Sequence, residues 1–216
     1  MKFEDLSDTY KVKELYYTLQ GEGAQTGRAA VFLRFTGCNL WTGLEKDREK
    51  AICQFCDTDF VGMDGENGGK YTADELVALI LRNWPDSDTR PFVVATGGEP
   101  MLQLDEHLLE EMHDKDIELA IETNGTIALI EGLDWVCVSP KAGAELKVRK
   151  GHELKLVHPQ KHLDPQTFVD MDFEHFYLQP MDGDQIQENI AACIDYCRRH
   201  PKWKLSMQSH KLIGLP

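Results

Sequence analysis

Three cysteines stand close enough in the chain to act together: Cys38, then Cys53 and Cys56 closing a Cys-Gln-Phe-Cys turn. Thiols clustered in this way point to a metal or a cluster, because a chain in a reducing compartment has little use for disulfides. Three thiolates can hold three irons of a four-iron, four-sulfur cluster and leave the fourth iron open. An open iron takes a second ligand, which makes the group a chemical site and not a structural staple. Taken alone, Cys53 and Cys56 also fit a redox pair or half of a zinc site. The pair follows a charged, irregular stretch, which is poor context for a thioredoxin-like redox motif. Zinc would need a distant fourth ligand, since the nearest histidine in sequence is His107.

About forty residues downstream, Thr96-Gly97-Gly98-Glu99-Pro100 follows an apolar run. One reading is a tight turn that starts a helix, with proline at its first position. The other is a backbone edge approached closely by an amino-acid-like ligand, with Glu99 meeting an ammonium. Gln20-Gly21-Glu22-Gly23 carries a similar ambiguity between a hairpin turn and a loop whose bare amides approach a ligand. An anionic substrate would draw on Arg34 and Lys141, with His210 as a third candidate. Cys137, Cys193 and Cys197 lie on apolar faces and read as core, where free cysteine packs as a small hydrophobe.

The elements that position these residues alternate. Residues 12–18 and 30–35 read as strands, and residues 92–95, 118–121, 135–138, 154–157, 176–178 and 204–207 read as further strands. Thr72-Ala73-Asp74-Glu75 is a capping box for a helix to about Asn83, and helices follow near 105–115 and from Asp184. Alternating strands and helices imply a parallel sheet. The short chain and the few late helices imply an α/β fold that is a shortened, partly open (β/α) barrel. Ligands then belong at the C-terminal strand ends, where Thr96, Glu122, Ser139 and Gln179 fall. The stretch Gly62–Gly69 reads as a mobile surface loop, and Lys46–Lys50 as a solvated face.

The 216 residues fit one domain, spanning 1–216, with an insertion at about 39–52. A net charge of −14 without a dense Lys/Arg run argues against direct nucleic-acid binding. The longest apolar stretch, Leu76–Leu81, is too short to span a bilayer. The opening Met1-Lys2-Phe3-Glu4-Asp5 lacks a secretory pattern, so a cytoplasmic setting is expected.

With these residues in view, the chain resembles the radical S-adenosylmethionine (SAM) superfamily. The family pattern is three cysteines with an aromatic residue before the third (here Cys38, Cys53, Phe55 and Cys56), and a GGEP segment for the methionine moiety. One departure is the spacing: fourteen residues, Asn39–Ile52, separate the first two cysteines where three are usual. A narrower resemblance, to the 7-carboxy-7-deazaguanine synthase family, covers nearly the whole length. It rests on Leu19-Gln20-Gly21-Glu22-Gly23, Arg34-Phe35-Thr36-Gly37-Cys38-Asn39-Leu40, Cys56-Asp57-Thr58, the GGEP segment, Glu122-Thr123-Asn124-Gly125 and Ser139-Pro140-Lys141, in that order.

This resemblance implies a lyase that uses a 5′-deoxyadenosyl radical to convert 6-carboxy-5,6,7,8-tetrahydropterin to 7-carboxy-7-deazaguanine with loss of ammonia. The product belongs to the queuosine and deazapurine route of tRNA modification. The resemblance assigns the cluster to Cys38, Cys53 and Cys56. It assigns SAM to Phe55, Cys56, Asp57, Gly98, Glu99, Ser139, Lys141 and Gln179. The pterin falls to Leu19, Gln20, Gly21, Glu22, Arg34, Thr96, Glu122, His210 and Pro216, with Arg34 as a clamp on the carboxylate and Glu122 on the guanidine-like edge. It further implies Mg²⁺ on Thr58, an electron donor such as a flavodoxin or ferredoxin, and a homodimer. The alternatives are a radical SAM activating enzyme acting on a protein partner, and a zinc-binding module without catalysis.

Overall fold

The computed structural model describes residues 9–215, so Met1–Asp5 and Pro216 lie outside the described residues. Nine strands form one sheet in the order β3-β1-β2-β4-β5-β6-β7-β8-β9. β1 (Tyr10–Leu19) pairs antiparallel with β2 (Ala29–Phe35) and with the short edge strand β3 (Gly69–Tyr71). From β2 onward every pairing is parallel: β4 (Phe92–Gly97), β5 (Glu118–Thr123), β6 (Trp135–Val138), β7 (Lys150–His158), β8 (Asp172–Pro180) and β9 (Trp203–Leu205). The edges β3 and β9 do not pair, so the barrel stays open. The strands expected from sequence all form: β6 has the expected bounds, β1, β2, β4, β5, β7 and β8 run longer, and β9 starts one residue earlier and ends two residues earlier.

Helices cover one face. α1 (Ala73–Asn83) starts at the expected capping box: Thr72 Oγ1 accepts from Glu75 N at 3.4 Å, and Glu75 Oε2 accepts from Thr72 N at 2.9 Å. Its buried stripe Leu76, Val77, Leu79 and Ile80 packs into the main core with α2 (Glu106–His113) and with Val93, Ala95, Leu119 and Ile121 of the sheet. α3 (Ile186–Arg199) presents Cys193 to the same core, as Cys137's neighbours Val136 and Val138 do from β6. The inner face holds a smaller cluster of Ala30, Phe92, Val94 and Ala120. Cys137 and Cys193 are buried and Cys197 packs against the core, as small hydrophobes do. Among the described residues no helix is long and apolar enough to cross a membrane.

Three segments make contacts that the sequence reading did not include. Residues 62–69 form a surface loop tied to β1: Gly65 N donates to Lys13 O, Leu15 N to Glu66 O and Asn67 Nδ2 to Leu15 O, so the segment lies along β1 and runs into β3. Gly68 sits so close that a Cβ would lie 2.5 Å from Lys13 O. The stretch 46–50 is only partly solvated, because Arg48 stacks 4.1 Å from the Trp41 ring and donates to Gln54 O and Cys56 O. The tail that follows β9 folds as a short helix, α4 (Ser209–Ile213), capped by Gly214 at φ 71°.

Candidate active site

The C-terminal ends of the parallel strands surround a cavity of about 360 Å³, within the range of small-molecule sites. Cys38 follows β2; Thr96 and Gly97 end β4; Glu122 and Thr123 end β5. Ser139 follows β6, and Lys155 and Val157 sit on β7 with Gln179 on β8. The β1–β2 loop adds Leu19, Gln20, Gly21 and Glu22, and α4 adds His210 and Lys211. Of the described residues that the resemblance assigns to cluster, SAM, Mg²⁺ or pterin, Glu99 alone does not line this cavity.

The long spacing between Cys38 and Cys53 is closed by the backbone. Leu40 O accepts from Ile52 N at 3.1 Å and from Cys53 N at 3.4 Å, so the residues between fold out and return beside their start. Trp41 packs edge-on against Phe60, which seats the base of the insertion. Cys38, Cys53 and Cys56 thus share one wall of the cavity. The hydrogen bond between Cys53 and Cys56 raises the Cys53 thiol, with burial adding to the rise, and holds Cys56 down to about 6 against burial. Burial raises Cys38, partly offset by backbone N–H groups of Leu40 and Trp41. Lys141 is driven below its ordinary value by burial, against the pull of Cys53 and Cys56. Its Nζ bonds Ser139 O and Oγ at 2.7 and 2.6 Å and lies 6.0 Å from the Phe55 ring. A cation beside three thiols suits an anionic iron–sulfur cluster. Among the described residues no three His, Cys, Asp or Glu groups converge as a single-ion site requires. A four-iron cluster with one open iron asks instead for three thiolates, one on each of three irons, which this wall offers.

Gly97 and Gly98 bring the β4 end against the cysteine loop. A Cβ on Gly98 would lie 2.0 Å from Gly37 O and 2.9 Å from Cys38 Cβ, so only glycine fits. Glu99 is placed differently from expectation. Its side chain is fully buried, accepting from Thr123 Oγ1 at 2.7 Å, Asn124 N at 2.8 Å and Met101 N at 3.1 Å. Burial raises its carboxyl despite those donors. The carboxylate ties the glycine loop to the end of β5 and leaves the backbone of Gly97 and Gly98 facing the cavity.

The wall opposite in character is built of carboxylates and amides. Lys155, almost wholly buried, bonds Glu22 Oε2 at 2.5 Å and Glu122 Oε2 at 3.0 Å. Glu22 Oε1 accepts from Gln179 and Gln208 at 3.0 and 2.9 Å, and Glu122 Oε1 from Gln20 at 2.9 Å. Burial alone would raise Glu22, but Lys155, Gln208 and His210 bring it below its usual value. Arg34 donates through Nε to Glu14 at 2.7 Å and through Nη2 to Tyr16 at 3.2 Å, which fixes the guanidinium at the cavity edge. One of its edges is therefore already engaged by Glu14 before any ligand arrives.

Sequence reasoning missed Lys155, Tyr16, Lys13, Gln208 and Lys211. Lys155 was legible as a charge inside the apolar run Leu154–Val157. Lys13 reaches Asp59 and Asp64 at 2.8 and 2.6 Å, because the bulge between Val12 and Glu14 re-aims it toward the loop after Cys56. Lys211 joins Asp57 and Asp182 at 2.7 and 2.5 Å, tying α4 over the site.

A parallel-sheet barrel with three thiols at its strand ends defines a class, and the radical SAM superfamily model matches residues 50–203. The chain belongs to the radical SAM superfamily; Cys53, Cys56 and the GGEP segment fall inside the match, and Cys38 falls before it. It is 57% identical over 208 residues to the 7-carboxy-7-deazaguanine synthase of Bradyrhizobium diazoefficiens, covering 96% of this chain and 99% of that one. It is likewise 57% identical over 209 residues to the enzyme of that name from Burkholderia multivorans, covering 96% and 100%. The crystal structure of QueE from Escherichia coli superposes with a TM-score of 0.69 at 26% identity, over 96% of this chain and 99% of that one. Within the superfamily, the chain is a member of the 7-carboxy-7-deazaguanine synthase family, a family of radical SAM lyases.

Proposed function

We propose that the protein converts 6-carboxy-5,6,7,8-tetrahydropterin to 7-carboxy-7-deazaguanine, with release of ammonia. The observation that carries this reading is the two-sided cavity. Thiols and a glycine edge form one wall, and a carboxylate pair with Arg34 forms the other. A bicyclic substrate with a carboxylate and a guanidine-like edge answers both signs of charge. The product is the substrate less ammonia, so no net oxidant is required.

Cys38, Cys53 and Cys56 would hold the four-iron cluster, and Gly98, Ser139, Lys141, Phe55, Asp57 and Gln179 would hold SAM. When bound and reduced, this pair supplies a 5′-deoxyadenosyl radical that takes a substrate hydrogen and returns it. The chain's own part is to orient and enclose. Glu122 and Glu22 accept from the N–H groups of the pterin edge. Arg34 turns its remaining N–H groups to the carboxylate, where Thr58 would help hold Mg²⁺. Leu19, Gln20, Gly21 and Thr96 line the ring's path, and His210 on α4 packs over Gly21 to exclude water. The reading takes 1–216 as one radical SAM domain acting as a homodimer. A cytoplasmic flavodoxin or ferredoxin supplies the electron. An activating enzyme would need a groove for a protein loop, which a cavity overlain by α4 does not favour.

Anaerobic turnover tests this. Protein reconstituted with iron and sulfide is given SAM, reductant, Mg²⁺ and the pterin, and mass spectrometry follows 7-carboxy-7-deazaguanine. Product lost on Cys56→Ala supports the proposal. SAM cleavage without that product overturns the substrate assignment.

A further inference from the structure

Lys155 presents a puzzle of placement. It stands on β7 between Leu154 and Leu156, on the cavity side, with 3% of its surface exposed. A buried ion cluster adds little to stability compared with well-packed apolar groups, so stability does not explain a lysine here. What the lysine does is visible in the bonding. Its single ammonium touches one oxygen of Glu22, from the β1–β2 loop, and one of Glu122, from β5. Without it, two carboxylates from separate elements would lose the one cation they share.

Their lone pairs can be counted. A carboxylate offers about four acceptor positions. Glu22 accepts three bonds, from Lys155, Gln179 and Gln208, and Glu122 accepts two, from Gln20 and Lys155. Acceptor capacity therefore remains on both, and both line the cavity.

We propose that Lys155 is a positioning residue for substrate. Its ammonium sets the spacing, aim and charge of the Glu22 and Glu122 carboxylates, making them a fixed pair of acceptors for an N–H-bearing ring edge. The proposal rests on the pterin reading above. The other titratable groups around the cluster are Glu153 on β7, Cys137 on β6, Lys141 beyond β6, Tyr16 on β1, which faces Glu122, and His210 on α4, which acts on Glu22.

The test compares the reconstituted wild type with Lys155→Met and with Lys155→Met/Glu122→Gln, from pH 6 to 9. In Lys155→Met, two carboxylates without a cation share a proton until the pH is high enough to remove it. A shared proton removes an acceptor, so the KM for the pterin rises about 100-fold over wild type at pH 6. The ratio then falls with pH, by at most about tenfold per unit, as one proton leaves. In the double variant only one carboxylate remains, and the pH slope of the ratio disappears. The KM for SAM and the electron paramagnetic resonance spectrum of the cluster stay at wild-type values. Fluorescence titration of the SAM-loaded enzyme with 6-carboxypterin should give the same affinity ratios without turnover. A ratio below about threefold, a large ratio independent of pH, or joint loss of the cluster signal and SAM affinity would each overturn the proposal. Failure of the pterin assignment shows separately, as a wild type that neither binds nor turns over the pterin.

Discussion

Gly98→Ala isolates the contact between the glycine edge and the cysteine loop. Gly98 does not need the left-handed region, so the substitution tests space alone. The new methyl would sit 2.0 Å from the Gly37 carbonyl oxygen and 2.9 Å from Cys38 Cβ. Reaching even a tight contact near 3 Å requires a shift of about 1 Å, and the nearest atom is backbone, which cannot rotate away. Gly37 O also accepts from Glu99 N at 2.9 Å, so the movement breaks that bond. Overpacking of about 1–3 kcal/mol with a lost hydrogen bond of about 1 kcal/mol predicts a cost of roughly 2–4 kcal/mol. In a chain of this size that lowers Tm by roughly 5–15 °C. Because the displaced carbonyl precedes Cys38, SAM cleavage should fall about 100-fold, the penalty of a 1 Å misplacement at a reacting centre. Gly183→Ala is the control: at φ 123° with nothing within 4 Å, it is strained without a clash and should cost only about 1–2 kcal/mol. Thermal unfolding and anaerobic 5′-deoxyadenosine release read both variants. Wild-type Tm and cleavage in Gly98→Ala would refute the reasoning, as would equal losses in the two.

Other expectations concern parts that support the site. Thr72→Ala removes the capping box of α1 and should cost about 1 kcal/mol, seen as a Tm lower by roughly 2–4 °C with kcat unchanged. Glu153 is raised above its ordinary carboxyl value of 4.5 by burial, Lys155 and the Ala24 N–H opposing. A raised acid binds more protons folded than unfolded, so it weakens the fold as pH rises above 4.5. Glu153→Gln should then raise Tm at pH 8 by an amount that shrinks toward pH 4.5; a pH-independent change would count against this assignment. Lys211 is 40% exposed, so its pairs with Asp57 and Asp182 are worth under about 1 kcal/mol in total after screening. Lys211→Ala should leave Tm nearly unchanged while amide exchange across 209–213 speeds up, and added salt should mimic it.

Much of this was written in local patterns. The capping box of α1, the period-two strands and the GGEP turn each act through neighbours in sequence, and their elements stand where the sequence placed them. What escaped depends on distant partners. Glu99 stands as an ionisable residue beside two glycines, yet its oxygens are claimed by Thr123 and Asn124, twenty-four and twenty-five residues on. Lys155 sits between two leucines on β7, and nothing nearby announces that Glu22, 133 residues earlier, will reach it. Arg48 reads as one charge among five, and only the fold brings Trp41 and the Cys56 carbonyl beneath it. β3 has three residues, too few to show a period, and exists because the loop before it is pinned to Lys13 and Leu15.

The same long-range contacts explain why the cavity has a floor. The sheet does not close, since β3 and β9 are both edges. The loop after β1 crosses that opening. Gln20 bonds Glu122 on β5, Glu22 meets Lys155 and Gln179 on β7 and β8, and Ala24 N donates to Glu153. Gly23 N reaches Ser206 just past β9, and Gly21 O accepts from Ser209 on α4. Two glycines make this crossing possible: a Cβ on Gly21 would strike His210, and one on Gly23 would strike Glu153 at 2.0 Å. The antiparallel hairpin therefore supplies the base of a site whose walls are parallel strand ends. Glu22 is thus held at once to the barrel and to α4. A change at Lys155 removes one of the loop's two ties to β7 but leaves it held at Glu153, Ser206 and Ser209. That separation is why substrate affinity should respond to Lys155 while the cluster wall, built from β2, β4 and the 39–56 loop, does not.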